Sequence, residues 1–152
     1  MITVSRRTTA APEDVWAVLA DGWSYATWVV GASRIRAVDR SWPEAGARIH
    51  HSVGTWPLLL SDETVVADVV PGEMIRMHAK ARPLGEAVVE IELRGEQGGT
   101  RIEMREDALH GPMTLAPKPL RQLAIRARNT ETVLRLALLA ERSTSAEAAA
   151  SP

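Results

Sequence analysis

Three titratable side chains fall where local periodicity turns them toward an apolar interior: His51, Glu106 and Glu131. Over residues 47–53, strand alternation groups Ala47, Ile49, His51 and Val53 on one face and sends His50 to the other. Over residues 100–108 it groups Ile102, Met104, Glu106 and Ala108, leaving Arg101, Glu103 and Arg105 for solvent. Glu131 lies near the middle of an apolar arc when the last helix is drawn at about 100° per residue. An imidazole and a carboxyl held near a bound molecule could move its protons as general base and general acid. His51 and Glu106 are therefore the candidate catalytic groups. Each residue also has an ordinary alternative. His51 could be a satisfied core histidine, Glu106 an exposed acid near a strand end, and Glu131 an ion-pair partner of Arg128 or Arg135 at helical spacing.

The candidate binding wall adds Trp28, Trp56, Met77, Ile91, Met104 and Leu134 to His51, Glu106 and Glu131. Phe is absent, and all five Trp (16, 23, 28, 42 and 56) lie in the first 56 residues. Tryptophan brings large apolar area and one N–H donor, and methionine packs against varied apolar guests. Residues 74–81 contribute Ile75, Met77 and Ala79 to the inner face, and residues 87–94 contribute Val89, Ile91 and Leu93. A largely apolar pocket with a few polar groups is the make-up of a small-molecule site.

The elements that must position these groups are mostly strands. Residues 2–9, 33–39, 47–53, 56–70, 74–81, 87–94 and 100–108 read as seven strands, with a bulge expected at Leu58-Leu59-Leu60. On 33–39, Ile35 and Ala37 are expected on one face and Arg34 and Arg36 on the other. Pro12-Glu13-Asp14 opens a first helix, Trp23–Trp28 forms a second short one, and Gly95–Gly99 has hairpin composition. Leu120, Leu123, Ala124, Ala127, Leu134, Ala137 and Leu138 recur at helical steps, predicting a helix over 120–142 roughly 35 Å long. Hairpin-length connections make the sheet antiparallel and the class α+β: a curved seven-stranded sheet wrapped around a long C-terminal helix. Residues 1–142 form one domain, and 143–152 are expected as a flexible tail.

Composition narrows the function. Eighteen basic against 19 acidic residues, a net charge of −1, give no electrostatic reason for a nucleic-acid partner. Without cysteine there is no disulfide, thiol nucleophile or thiolate metal site. The four histidines (50, 51, 78 and 110) lack metal-ligand spacing, so neither metal nor cofactor is expected. No run approaches ~18 apolar residues, and Met1–Arg7 lacks the apolar core of a signal peptide. The expectation is a cytoplasmic protein without membrane insertion, monomeric or homodimeric. Arg121, Arg128, Arg135 and Arg142 recur every seven residues and read as a solvated helix stripe or, alternatively, an interface. Arginine-over-lysine bias with abundant alanine points to a GC-rich bacterial genome.

This element order resembles the START-like (SRPBCC) superfamily with its helix-grip fold, over nearly the whole chain. The resemblance is carried by Thr9-Ala10-Ala11-Pro12-Glu13-Asp14-Val15-Trp16, by Trp23…Trp28 and by the strand–loop–long-helix ending. Trp42-Pro43-Glu44-Ala45-Gly46, Met104-Arg105-Glu106-Asp107 and Arg128-Asn129-Thr130-Glu131-Thr132 are similar to a bacterial polyketide cyclase/dehydrase-like subgroup. The resemblance implies a carrier or sensor enclosing a hydrophobic small molecule such as a lipid, polyketide or isoprenoid. Its alternative implication is a cyclase/dehydrase acting on a polyketide-like substrate in the same cavity. Cyclases of this superfamily position substrates with pocket Arg, Tyr and Trp. Here the inward strand positions carry no Arg, and Tyr25 is the only tyrosine.

Overall fold

Alternation along the second half of the chain builds the core. Ile75 and Met77, then Val89, Ile91 and Leu93, then Ile102 and Met104 are all buried on one sheet face. The computed structural model describes residues 1–54, 57, 59–81, 85–110 and 115–150. In order these form β1 (Ile2–Thr8), α1 (Pro12–Ala20), a 3-10 turn (Gly22–Ser24), α2 (Tyr25–Trp28), β2 (Ala32–Val38) and β3 (Arg48–Val53). There follow β4 (Leu60–Val70), β5 (Met74–Ala81), β6 (Gly85–Glu96), β7 (Gly99–His110) and α3 (Lys118–Ala150). The strands form one curved sheet in the order β1-β7-β6-β5-β4-β3-β2, antiparallel at every pairing. The expected α+β helix-grip architecture is the one observed.

Short-range chemistry fixes the entry to the helices. Pro12 lies in the first turn of α1, where its missing N–H costs nothing, and Glu13 and Asp14 face the positive end of the helix dipole. The Trp42 indole N–H donates to the Leu19 carbonyl at 3.1 Å, tying the end of α1 to the loop after β2. Gly22 allows the close turn that follows: a Cβ there would sit 2.6 Å from Val38 Cγ1.

Three elements differ from the sequence expectation. In β2, register shifts between Ala32/Arg34 and Ile35/Ala37 break the two-residue period. Ala37 is consequently exposed, and Val38 takes the half-buried position. The irregularity in β4 falls between Val66 and Asp68. The strand itself begins at Leu60, and Leu58 lies outside the described residues.

The third difference is the face that α3 buries. Ile125, Asn129, Thr132, Val133, Leu136, Ala137 and Ala140 are buried, whereas Leu120, Leu123 and Leu138 are exposed, Leu123 at 66%. Two of the buried positions are polar, so counting hydrophobic residues rotates the apparent stripe toward the wrong side. The helix also runs past Arg142 to Ala150. Ser143, Thr144 and Ser145 donate to the carbonyls of Leu139, Ala140 and Glu141, and the alanines that follow are strong helix formers.

Candidate functional site: a cavity between sheet and helix

α3 packs chiefly on β1, α1 and α2, and lightly on β7, so the concave face over β5 and β6 is left partly uncovered. A cavity of about 100 Å³ remains there. This is of the same order as the ~150 Å³ cavities that admit a benzene ring. Met77 and Ala79 of β5, Val89 of β6 and Met104 of β7 make its apolar wall. Tyr25 and Trp28 enter from α2, and Ile125, Arg128, Asn129 and Thr132 from α3. The Thr132 hydroxyl accepts from the Val30 backbone N–H at 3.3 Å, holding the end of α2 against α3.

Glu106 sits in this wall, 4% exposed, where strand alternation places it. It is an acid with a partner: Arg128 Nη2 donates to its Oε2. The Arg128 side chain is 39% exposed, so one end of the pair meets water and the other is buried. Its guanidinium also donates to Asn129 Oδ1, through Nε at 3.3 Å and Nη2 at 3.2 Å. The arginine in the cavity wall thus comes from the helix and not from a strand.

Beside the cavity lies a second polar chain. Tyr25 OH and Thr64 Oγ1 are 3.0 Å apart, and His51 Nε2 lies 3.0 Å from the same hydroxyl. The Tyr25 ring meets Trp28 edge-on at 5.3 Å and His51 at 5.5 Å between centroids. Burial pushes the Tyr25 phenol above its ordinary range, against the pull of the Thr64 hydrogen bond and Arg128. Burial likewise lowers the His51 imidazole; Asp62 opposes this, while Arg36 and His50 reinforce it. Both rings are therefore held neutral near neutral pH.

The lowered imidazole has a consequence for stability. An unfolded histidine takes up a proton as pH falls through about 6.5, whereas the folded one resists until lower pH. The protein is thus expected to keep this contribution above about pH 6.5 and to lose it on acidification down to the depressed folded value. The slope is at most about 1.4 kcal/mol per pH unit. Urea midpoints between pH 5 and 7 should show it, and His51→Gln should flatten the profile. An equal slope in the variant would assign the acid sensitivity to other groups.

The structure gathers some of the expected site residues and disperses others. Trp28, Met77, Met104 and Glu106 line the cavity together. His51 is buried but stands one hydroxyl behind the wall, reaching it through Thr64 and Tyr25. Ile91 is packed in the core outside the cavity lining, and Leu134 is half-buried on α3, also outside it. Glu131 is 44% exposed and bonded to Arg135 at 2.8 Å, so the ion-pair alternative holds in place of an inward acid. Trp56 lies outside the described residues. Sequence reasoning missed Arg128, Asn129 and Thr132. Their signal was the three- and four-residue spacing they share with Ile125, Val133 and Leu136.

Among the described residues, no group of three acidic or histidine side chains could hold a metal ion. None of their helices is long and apolar enough to cross a membrane.

An antiparallel sheet gripping a C-terminal helix across an internal cavity defines the helix-grip class. The family described as polyketide cyclase / dehydrase and lipid transport matches residues 1–141, and the chain belongs to it. Its fold is similar to SA2116, a Staphylococcus aureus protein of unknown function, with a TM-score of 0.73 at 15% identity, covering 95% of this chain and 94% of that one. It is similar to the di-domain ARO/CYC StfQ from the steffimycin biosynthetic pathway, with a TM-score of 0.72 at 13% identity, covering 95% of this chain and 51% of StfQ. It is also similar to Ara h 8.0201, with a TM-score of 0.70 at 8% identity over 93% and 97% of the two chains. Comparison with curated proteins gives no match.

Proposed function

We propose that the chain binds a compact, largely apolar small molecule in this cavity, as a carrier or sensor. The observation that supports this most directly is the wall itself. Methionine, valine, alanine and isoleucine side chains surround the space, and a few buried polar groups interrupt them. The volume suits one ring, or the end of a larger ligand, better than a whole lipid chain. Native mass spectrometry of protein purified without refolding should find a retained apolar molecule. Uptake of N-phenyl-1-naphthylamine, followed by its fluorescence, should weaken about tenfold or more in Ala79→Phe, which fills the cavity from β5. No retained molecule together with no dye uptake by the unaltered protein would remove this reading.

A second reading, a polyketide cyclase/dehydrase-type enzyme, rests on one observation. Arg128, Tyr25 and Trp28 meet in the same cavity, next to the Glu106 carboxyl. These are the residue types that the superfamily resemblance associates with substrate positioning. Conversion of an added poly-β-ketone, lost in Glu106→Gln while dye uptake persists, would favour the enzyme over the carrier.

A further inference from the structure

Two buried N–H donors in the cavity wall have no partner among the described residues: Trp28 Nε1 and Asn129 Nδ2. Both residues line the cavity, Trp28 at 2% and Asn129 at 0% exposure. Buried donors without a partner are rare in folded proteins, and two of them on residues that line one space fit a guest that accepts hydrogen bonds. The orientation of the Asn129 amide follows from its neighbour. Arg128 offers only donors, and two of its N–H groups point at Oδ1, so the NH₂ end must face the other way. A flipped amide would set donor against donor.

Charge decides which acceptor fits. The Arg128 guanidinium is already neutralised by Glu106, so no net positive charge is left to reward a buried carboxylate, and the Glu106 carboxylate would repel one. Resting on the small-molecule reading above, we infer that Trp28 and Asn129 are specificity-determining donors for a neutral carbonyl oxygen. The ligand class is an aromatic or alicyclic ketone, quinone or lactone whose hydrocarbon part lies against Met77, Val89, Met104 and Ile125. The two N–H groups read the oxygen, and the apolar wall reads the ring.

The test uses three one-ring probes differing in the polar group: acetophenone, ethylbenzene and benzoate. Acetophenone is expected to bind about tenfold more tightly than ethylbenzene, as one or two new hydrogen bonds allow, and benzoate more weakly than both. In ¹H–¹⁵N spectra of the unaltered protein, one indole N–H should move on adding acetophenone and stay in place with ethylbenzene. Trp28→Phe assigns that resonance. Asn129→Leu should lower acetophenone affinity about five- to tenfold and leave ethylbenzene affinity equal or higher, a split that general damage to the cavity would not produce. Equal binding of ketone and hydrocarbon, with no indole shift, would overturn the inference while leaving the cavity reading in place. Preference for benzoate would overturn the neutral-acceptor assignment. Failure of all three probes to bind would overturn both.

Discussion

Gly99→Ala is expected to destabilise the protein by about 3 kcal/mol or more, combining backbone strain with forced overlap. Gly99 has a φ of +151°, and a Cβ built on it would lie 1.9 Å from the Thr8 carbonyl oxygen and 2.9 Å from Thr9 Cα. These are backbone atoms, which cannot swing aside as a side-chain tip would. Moving them disturbs the end of the β1–β7 ladder, where Thr8 pairs with Thr100. It also disturbs a buried knot of hydrogen bonds. The Thr8 hydroxyl donates to Glu141 of α3 at 2.6 Å and accepts from the Ala10 N–H, and the Thr100 hydroxyl donates to the Ala10 carbonyl at 2.8 Å. Gly98 is the internal control. Its φ is +84° but a Cβ there meets nothing within 4 Å, so Gly98→Ala should cost only about 1–2 kcal/mol. Urea midpoints compared at unchanged slope measure both. Matching midpoints for the two variants would show that the close approach of β1 to Gly99 does not exist in solution.

That hairpin also shows what a sequence discloses. The cluster of glycines between two alternating runs marks the β6–β7 turn because few residues other than glycine tolerate positive φ. β5 was readable to its boundaries, residues 74–81, since one buried face imposes a strict two-residue period. The same rule placed Glu106 inward. β2 was less readable, because two register shifts turn its burial period from two residues into three. α3 hid its buried face behind Asn129 and Thr132, whose polarity reads as solvent although packing puts them inside. Arg128 read as part of a solvated stripe for the same reason. Nothing local announces that its partner is Glu106, 22 residues earlier on a strand. The fold was legible where burial follows hydrophobicity, and the candidate site was obscure where polar side chains are buried.

Arg128→Met is expected to lower stability by roughly 3 kcal/mol. Removing one partner from a buried ion pair costs about 3–5 kcal/mol, because the remaining charge is stranded away from water. The lower end of that range applies here, since the Arg128 side chain is 39% exposed and solvent already screens its side of the pair. The Glu106 side, at 4% exposure, is the one that suffers. Glu106→Gln in the same chain removes the stranded charge, so the double variant should recover most of the loss. Recovery should stop about 1 kcal/mol short, because Asn129 Oδ1 also loses the two donors that Arg128 supplies. The measurement is a double-mutant cycle on urea midpoints, with a coupling energy of about 2–3 kcal/mol expected between positions 106 and 128. If the two single losses simply added, Arg128 would be a surface arginine resting near Glu106. The cavity would then hold a lone acid, and a guest carrying a positive charge would suit it better than a neutral ketone.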